Sequence, residues 1–214
     1  MAIRRVFYID SDNRIKFHDF EILWVSGLSN QQKQKNVEEL HKQISYFFGI
    51  SEDRILEVST KSQKAIGRML SAFNLKMQIN GKVYPIECIY QSSKVFKSLI
   101  GSYQIKDVLY MSPQKAKKRV SYEDHSNLCA FNYFGKEFLV QPKYLFFDWL
   151  YINAVQQKKD LVGEVSKFKY FTDIEFNPEK SISCQARTLV LYLWLIKNNK
   201  LADYIKNPYK FYKK

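Results

Sequence analysis

Apolar and polar positions change period several times along the chain, and each change marks an element. Residues 3–9 (Ile-Arg-Arg-Val-Phe-Tyr-Ile) read as a strand that stops at the turn cluster Asp10-Ser11-Asp12-Asn13. Ile15, Phe17 and the run Phe20 to Trp24 predict a second strand, closed by Ser26-Gly27, so the two form a hairpin. Arg4 and Arg5 at its start read as a solvated edge. Ser29 and Gln32 have the spacing of a capping box. Val37, Leu40, Ile44 and Phe47 then recur at helical spacing up to Gly49, a C-cap residue. The polar residues 31–35 on that helix read as a solvated face, with a backbone-phosphate contact as the alternative. Residues 54–59 predict a strand, 60–63 are polar, and 65–75 are apolar with Gly67, Arg68, Ser71 and Asn74 interspersed. Met77, Ile79 and Val83 flank Asn80-Gly81, the strongest short-range hairpin signal.

Pro85 suits the first position of a helix, where its missing N–H costs nothing. Glu87, Gln91 and Lys94 follow at i, i+4 and i+7, which predicts one shared polar face, while Ile86, Ile89, Tyr90 and Phe96 predict the buried one. A carboxylate, an amide and an amine in line suit a reactive site. They equally suit a solvent-facing helix with one ion pair.

Residues 101–108 read as a connection. Ser112 and Pro113 then start a helix whose basic residues are Lys115, Lys117, Lys118 and Arg119. Free N–H groups beside cations suit phosphate, and an ordinary basic surface helix is the equal alternative. Residues 121–136 are polar and read as a loop, with a short strand at 137–140. Pro142 opens a long predicted helix to Asp160, with Leu145, Trp149, Ile152 and Val155 as its buried stripe. Residues 171–187 are loop-like, with a turn at Asn177-Pro178. They gather Asp173, Glu175, Asn177, Gln185 and Arg187, which suits a functional loop; the alternative is a set of caps, for example Ser181 or Ser183 starting the next helix, which accounts less easily for Asp173 and Glu175 together. Residues 185–196 are almost wholly apolar and predict a buried helix. The tail from Pro208 alternates aromatic and basic residues, a weak single-strand nucleic-acid pattern, and is expected to fray.

The sum is an α+β, mostly helical chain with small hairpins in its first half. It is expected to fold as a single domain over 1–214: an extension over 1–61, a catalytic core over 62–200 and a basic tail over 201–214. With 214 residues, 46% of them hydrophobic, a sizeable core is available. The net charge of +13 favours a polyanionic partner. Cys88, Cys129 and Cys184 form no disulfide pattern, which fits a reducing compartment. His18, His41 and His125 share no metal-ligand spacing, so no metal and no cofactor is expected. No signal peptide is read at the N-terminus, and the longest apolar run, Leu189 to Ile196, is too short to span a bilayer. A soluble, cytoplasmic protein without membrane contact is expected.

Several of these motifs together resemble the NADAR family. They are Leu70-Ser71-Ala72-Phe73, Asn80-Gly81-Lys82, the run from Tyr84-Pro85 through Glu87, Cys88, Tyr90 and Gln91 to Lys94, and Ser112-Pro113-x-x-Ala116-Lys117. Asp148 to Tyr151 and Asp173 to Arg187 occupy the places of its later elements, so the resemblance spans about residues 62–198. Two positions depart from the family pattern: Ala72 stands where its Ser-Asn-Phe element has Asn, and Cys88 stands where its helix has His. The first sixty residues are similar to a longer subfamily that accompanies DNA ADP-ribosyltransferase toxins as antitoxins.

The resemblance implies cleavage of a ribosyl–nitrogen bond. The substrate class is ADP-ribosylated guanine in DNA, single-stranded by expectation. The alternatives are a small ribosylated metabolite of the riboflavin-intermediate type, or binding without turnover. A cognate toxin is an implied partner. Glu87, Lys94 and Asp173 are the implied catalytic residues. Ser71, Phe73, Tyr90, Gln91, Ser112, Lys117, Glu175, Asn177, Gln185 and Arg187 are implied to bind substrate, with Ser112 and the basic residues after it at the pyrophosphate. Lys94 is open between nucleophile, phosphate contact and ion-pair partner of Glu87.

Overall fold

The computed structural model describes residues 1–27, 29–181 and 183–212. Ile182 of the acidic loop and Lys213-Lys214 of the tail lie outside them. In chain order the elements are β1 (Ala2–Ile9), β2 (Ile15–Ile22), α1 (Asn30–Phe48), β3 (Ile55–Glu57), α2 (Ala65–Met69), β4 (Lys76–Ile79), β5 (Lys82–Pro85) and α3 (Ile86–Ser92). They continue with β6 (Lys94–Ser98), β7 (Gly101–Gln104), α4 (Pro113–Val120), β8 (Leu128–Tyr133), β9 (Lys136–Leu139), α5 (Leu145–Gln156) and α6 (Lys159–Val165). The last three are β10 (Tyr170–Thr172), α7 (Gln185–Lys197) and α8 (Leu201–Lys206). Helix accounts for 44% and strand for 23%, so the chain is α+β with helix predominant.

Two compact units divide the chain: Met1–Ser71 with Lys158–Asp203, and Ala72–Gln157 with Tyr204–Lys214. These borders differ from those expected at 61/62 and 200/201. The first sixty residues share a unit with residues 158–203 because β10 lies between β1 and β3 in a four-stranded sheet ordered β2-β1-β10-β3. β10 runs antiparallel to β1 and parallel to β3.

In the first unit the expected hairpin is present, with β1 and β2 paired from Ala2↔Ile22 to Ile9↔Ile15. The capping box at Ser29 and Gln32 is formed, and Gly49 closes α1 at φ 61°, a conformation that favours glycine. Val37, Leu40 and Ile44 of α1 join Val6, Phe20, Ile22 and Ile55 in one apolar cluster. Phe47 does not; it is exposed and stacks on His18. Arg4 is not a solvated edge either. It is buried, its Nε donates to the Ile174 carbonyl at 2.9 Å, and its guanidinium lies over Trp24.

The second unit holds the β4–β5 hairpin and a second four-stranded sheet ordered β7-β6-β8-β9. Asn80 and Gly81 both take positive φ, 49° and 79°, as a two-residue hairpin turn requires. The segment expected to be a loop at 121–136 contains β8, because Leu128 to Tyr133 carries its apolar residues between β6 and β9. Residues 101–108 likewise contribute β7 rather than a plain connection. Strand thus continues well past the first half of the chain. The long helix expected from Pro142 to Asp160 is two helices, α5 and α6, with α5 starting at Leu145. The tail does not fray through Tyr212. The Tyr212 hydroxyl donates to Asp148 Oδ2 at 2.7 Å, and the Leu139 N–H donates to the Tyr209 hydroxyl at 2.8 Å.

Among the described residues, no helix is long and apolar enough to cross a membrane.

Candidate active site

The centre of the second unit is α3. Its first N–H groups need acceptors from outside the helix. The Leu75 carbonyl accepts from the Ile86 N–H at 2.9 Å, and the Ala72 carbonyl accepts from the Glu87 N–H at 3.1 Å. The 72–75 segment therefore fixes the start of α3 through its backbone, at Ala72 as at Leu75. Pro85 is the N-cap and the helix proper begins at Ile86.

The helix ends at Ser92, so Lys94 is not on it. The Ser92 and Ser93 hydroxyls both donate back to the Ile89 carbonyl, at 3.1 and 2.8 Å, which terminates the helix. Lys94 is the first residue of β6 and pairs with Phe131 of β8. Gln104 locks that corner by donating to the Ser92 and Asn132 carbonyls at 3.0 and 3.1 Å. Three polar groups predicted to share one helical face are thus brought together by a helix and the strand after it.

All three are buried: Glu87, Gln91 and Lys94 are each about 5–6% exposed. The Gln91 amide donates to Glu87 Oε1 at 2.8 Å. Its own oxygen has no hydrogen-bond partner among the described residues. Lys94 Nζ lies 5.1 Å from the centre of the Tyr90 ring, and Tyr90 is itself wedged among Phe131, Phe146 and Phe147. Among the described residues no ion pair within 4.0 Å joins Lys94 to Glu87, so the simple ion-pair alternative is not what the geometry holds.

Burial pushes the Glu87 carboxyl above the usual carboxylate range, against the opposing pull of Gln91, Lys117 and Lys94. Burial lowers Lys94 to about 8, with Glu87 opposing and Lys117 reinforcing the shift. Burial thus favours the protonated carboxyl on Glu87 and the neutral amine on Lys94. Lys117 of α4 lies over Phe73, 5.6 Å from its ring centre. Ser112 is the N-cap of α4 as expected, and Pro113 its first residue.

Cys88 points the other way. It is fully buried, its Sγ donates to the Met111 carbonyl at 3.2 Å, and burial raises the thiol to about 11. It belongs to an apolar cluster with Phe96, Val108, Ala116 and Val120.

The remaining predicted residues lie in the first unit. Ser71 is its last residue before the border and is buried. Asp173 is buried, and its Oδ1 accepts from the Glu175 N–H at 3.1 Å. Burial and the nearby Glu57 push its pKa well up, while bonds from the Glu175 N–H and Gln185 oppose the rise. Glu175 faces Lys33 at 3.6 Å. Asn177 accepts from the Glu179 N–H at 2.9 Å and so shapes the turn. Gln185 and Arg187 are half-buried in the first turn of α7, which is capped at Cys184 rather than at Ser181 or Ser183.

A buried group that sequence reasoning missed sits beside Asp173. Glu57 of β3 accepts from the Thr172 hydroxyl at 2.7 Å and the Ile174 N–H at 2.9 Å, and Thr172 in turn meets His41 at 2.9 Å. Burial raises Glu57 and lowers His41 to about 3, which keeps the ring neutral. A cavity of about 230 Å³ adjoins them, also lined by Ser62 and Lys64. The signal was available: a glutamate inside the otherwise apolar strand Ile55-Leu56-Glu57-Val58. Among the described residues no His, Cys, Asp and Glu cluster has the form of a metal site.

A mixed α+β chain with a buried Glu–Gln–Lys constellation at the centre of its second unit fits the NADAR class. The profile of DarT1-associated NADAR antitoxins matches residues 2–214, and the chain belongs to that family. A search of curated proteins finds no match.

Proposed function

We propose that the protein is a glycohydrolase that removes ADP-ribose from guanine in DNA, with Glu87 as general acid and Lys94 as nucleophile. The observation that carries the reading is the buried, unpaired pairing of a proton-holding carboxyl with a deprotonatable amine. Membership of an antitoxin family that accompanies a toxin supports the substrate class. The lysine amine attacks C1 of the ribose as the C1–N bond to guanine breaks. Glu87 gives its proton to the departing base, and the attacking nitrogen sheds a proton to water or to the Glu87 carboxylate. The resulting C1–N adduct opens the ribose ring to an imine. Water then adds to C1, lysine leaves, and ADP-ribose is released. Gln91 holds Glu87 through its amide, and its unpartnered oxygen accepts from a ribose hydroxyl. Lys117, Ser112 and the start of α4 take the pyrophosphate, while Phe73 and Tyr90 provide apolar walls. The toxin that modifies the DNA is the implied functional partner.

The test is release of ADP-ribose from a guanine-modified oligonucleotide. Wild type releases it; Glu87→Ala does not, and full activity in that variant overturns the mechanism. Borohydride traps a covalent adduct in wild type and none in Lys94→Ala. Absence of trapping in an active wild type assigns direct hydrolysis by water instead. Turnover of free ribosylated pyrimidines, without turnover of modified DNA, moves the substrate to a small metabolite.

A further inference from the structure

The second unit carries 15 of the 34 Lys and Arg but only 6 of the 21 Asp and Glu, although it is the smaller of the two. The excess charge that suits a polyanion therefore belongs mostly to the unit that contains α3. On the same unit, the β6–β7 hairpin ends in a two-residue tip, Leu99-Ile100, between the Ser98↔Gly101 pair. Both side chains are fully exposed, at 105% and 99%. Single exposed aliphatics need no explanation. Two adjacent ones at the end of a tight hairpin contribute nothing to the core.

The surroundings identify what the tip meets. Lys97 is exposed next to it on β6. Phe96 at the hairpin root packs in one cluster with Ala116 and Val120 of α4, which seats that basic helix beside the root. The Tyr103 hydroxyl donates to Glu123 at 2.6 Å, and Arg119 donates to the same carboxylate at 2.8 Å, tying β7 to the end of α4. The Tyr103 ring stays 41% exposed. Lys115, Lys118 and Arg119 are exposed. Apolar tips beside cations are how proteins enter a base stack while holding the backbone. Two residues are too little apolar area to anchor to a membrane or to hold a second copy of the chain.

We propose that Leu99 and Ile100 form a wedge that inserts into the base stack of a nucleic-acid strand, with Lys97 and the outer face of α4 on its phosphates. The inference rests on the reading of this unit as acting on a base within a strand. It makes the tip a specificity element that favours polymer over mononucleoside.

The experiment uses full-length protein and an unmodified single-stranded oligonucleotide carrying one 2-aminopurine beside a guanine. Wild type brightens the 2-aminopurine as the stack opens. Leu99→Ser/Ile100→Ser abolishes most of that brightening and weakens binding about tenfold, with the salt dependence of binding unchanged. Leu99→Met/Ile100→Met keeps both. Equal brightening and affinity in the serine variant overturns the wedge, as does binding to anionic vesicles in place of the oligonucleotide, or tip-dependent self-association. A turnover arm separates this inference from the one it rests on. The serine variant loses activity on a modified oligonucleotide but keeps it on ADP-ribosylated guanosine. A wild type that opens the stack yet releases no ADP-ribose overturns the glycohydrolase and leaves the wedge standing.

Discussion

Each unit of the molecule buries a glutamate, and the two are used differently. Glu57 accepts from the Thr172 hydroxyl and the Ile174 N–H, and Thr172 is held from its far side by His41. Its donors come from its own unit and tie β3 to β10 and the segment after it. Glu87 is also raised by burial, but its side-chain donor is Gln91; among the described residues the Gln91 oxygen has no partner and the nearby lysine makes no ion pair. Burial and a displaced pKa are common to both carboxyls. What separates them is unused hydrogen-bonding capacity, which is why the proposed chemistry is assigned to Glu87.

The widest test of that contrast exchanges the two glutamates' fates. Glu87→Gln is expected to lower turnover by roughly 10²- to 10⁴-fold, the range a general acid supplies, with the melting temperature unchanged or raised. Glu57→Ala is expected to cost roughly 3 kcal/mol of stability by stranding the Thr172 and Ile174 donors, read by denaturant titration. A stable Glu57→Ala protein that has lost turnover would break the comparison.

The pH profile sharpens it. In the proposed mechanism Glu87 and Lys94 share one proton. The rate is expected to fall above about pH 8 as that proton leaves, and to fall at acid pH below the raised value of Glu87 as a second proton binds. A rate that climbs steadily through pH 9 would remove Glu87 as the acid.

The smallest effect belongs to Asp173. Its folded pKa is raised, so the fold retains a proton that the unfolded chain gives up. That contribution is complete below the ordinary carboxylate range and is lost as pH rises through the raised value. Asp173→Asn is expected to flatten the pH dependence of stability across that window, with turnover within a few-fold of wild type. A loss as large as that of Glu87→Gln would place Asp173 among the catalytic groups.

Local signals in the sequence were legible where the chain decides structure with its neighbours. The Ser29–Gln32 box, Gly49, the Asn80-Gly81 turn and Ser112-Pro113 all do what their spacing predicts. Glu87 and Gln91 were legible for the same reason. Lys94 was placed on the right face by the wrong element, because helical periodicity does not register the two serines that stop α3. Long-range facts were not legible. The burial of Arg4 depends on the Ile174 carbonyl, and the Glu57 network depends on residues more than a hundred positions away. β8 was hidden by the polar residues 121–127 before it, although Leu128-Cys129-Ala130-Phe131-Asn132-Tyr133 is itself mostly apolar.

The place of β10 has a consequence for synthesis. This strand is the middle piece between β1 and β3, yet it leaves the ribosome more than a hundred residues after either. Until Thr172 has emerged, the first sheet consists of a hairpin and a lone strand with no common partner, whereas residues 72–157 already contain both sheets of the other unit. Long-range closure of this kind is slow. A nascent chain therefore carries every strand of the second unit before the first sheet can close, while that unit still awaits its last segment, Tyr204–Lys214.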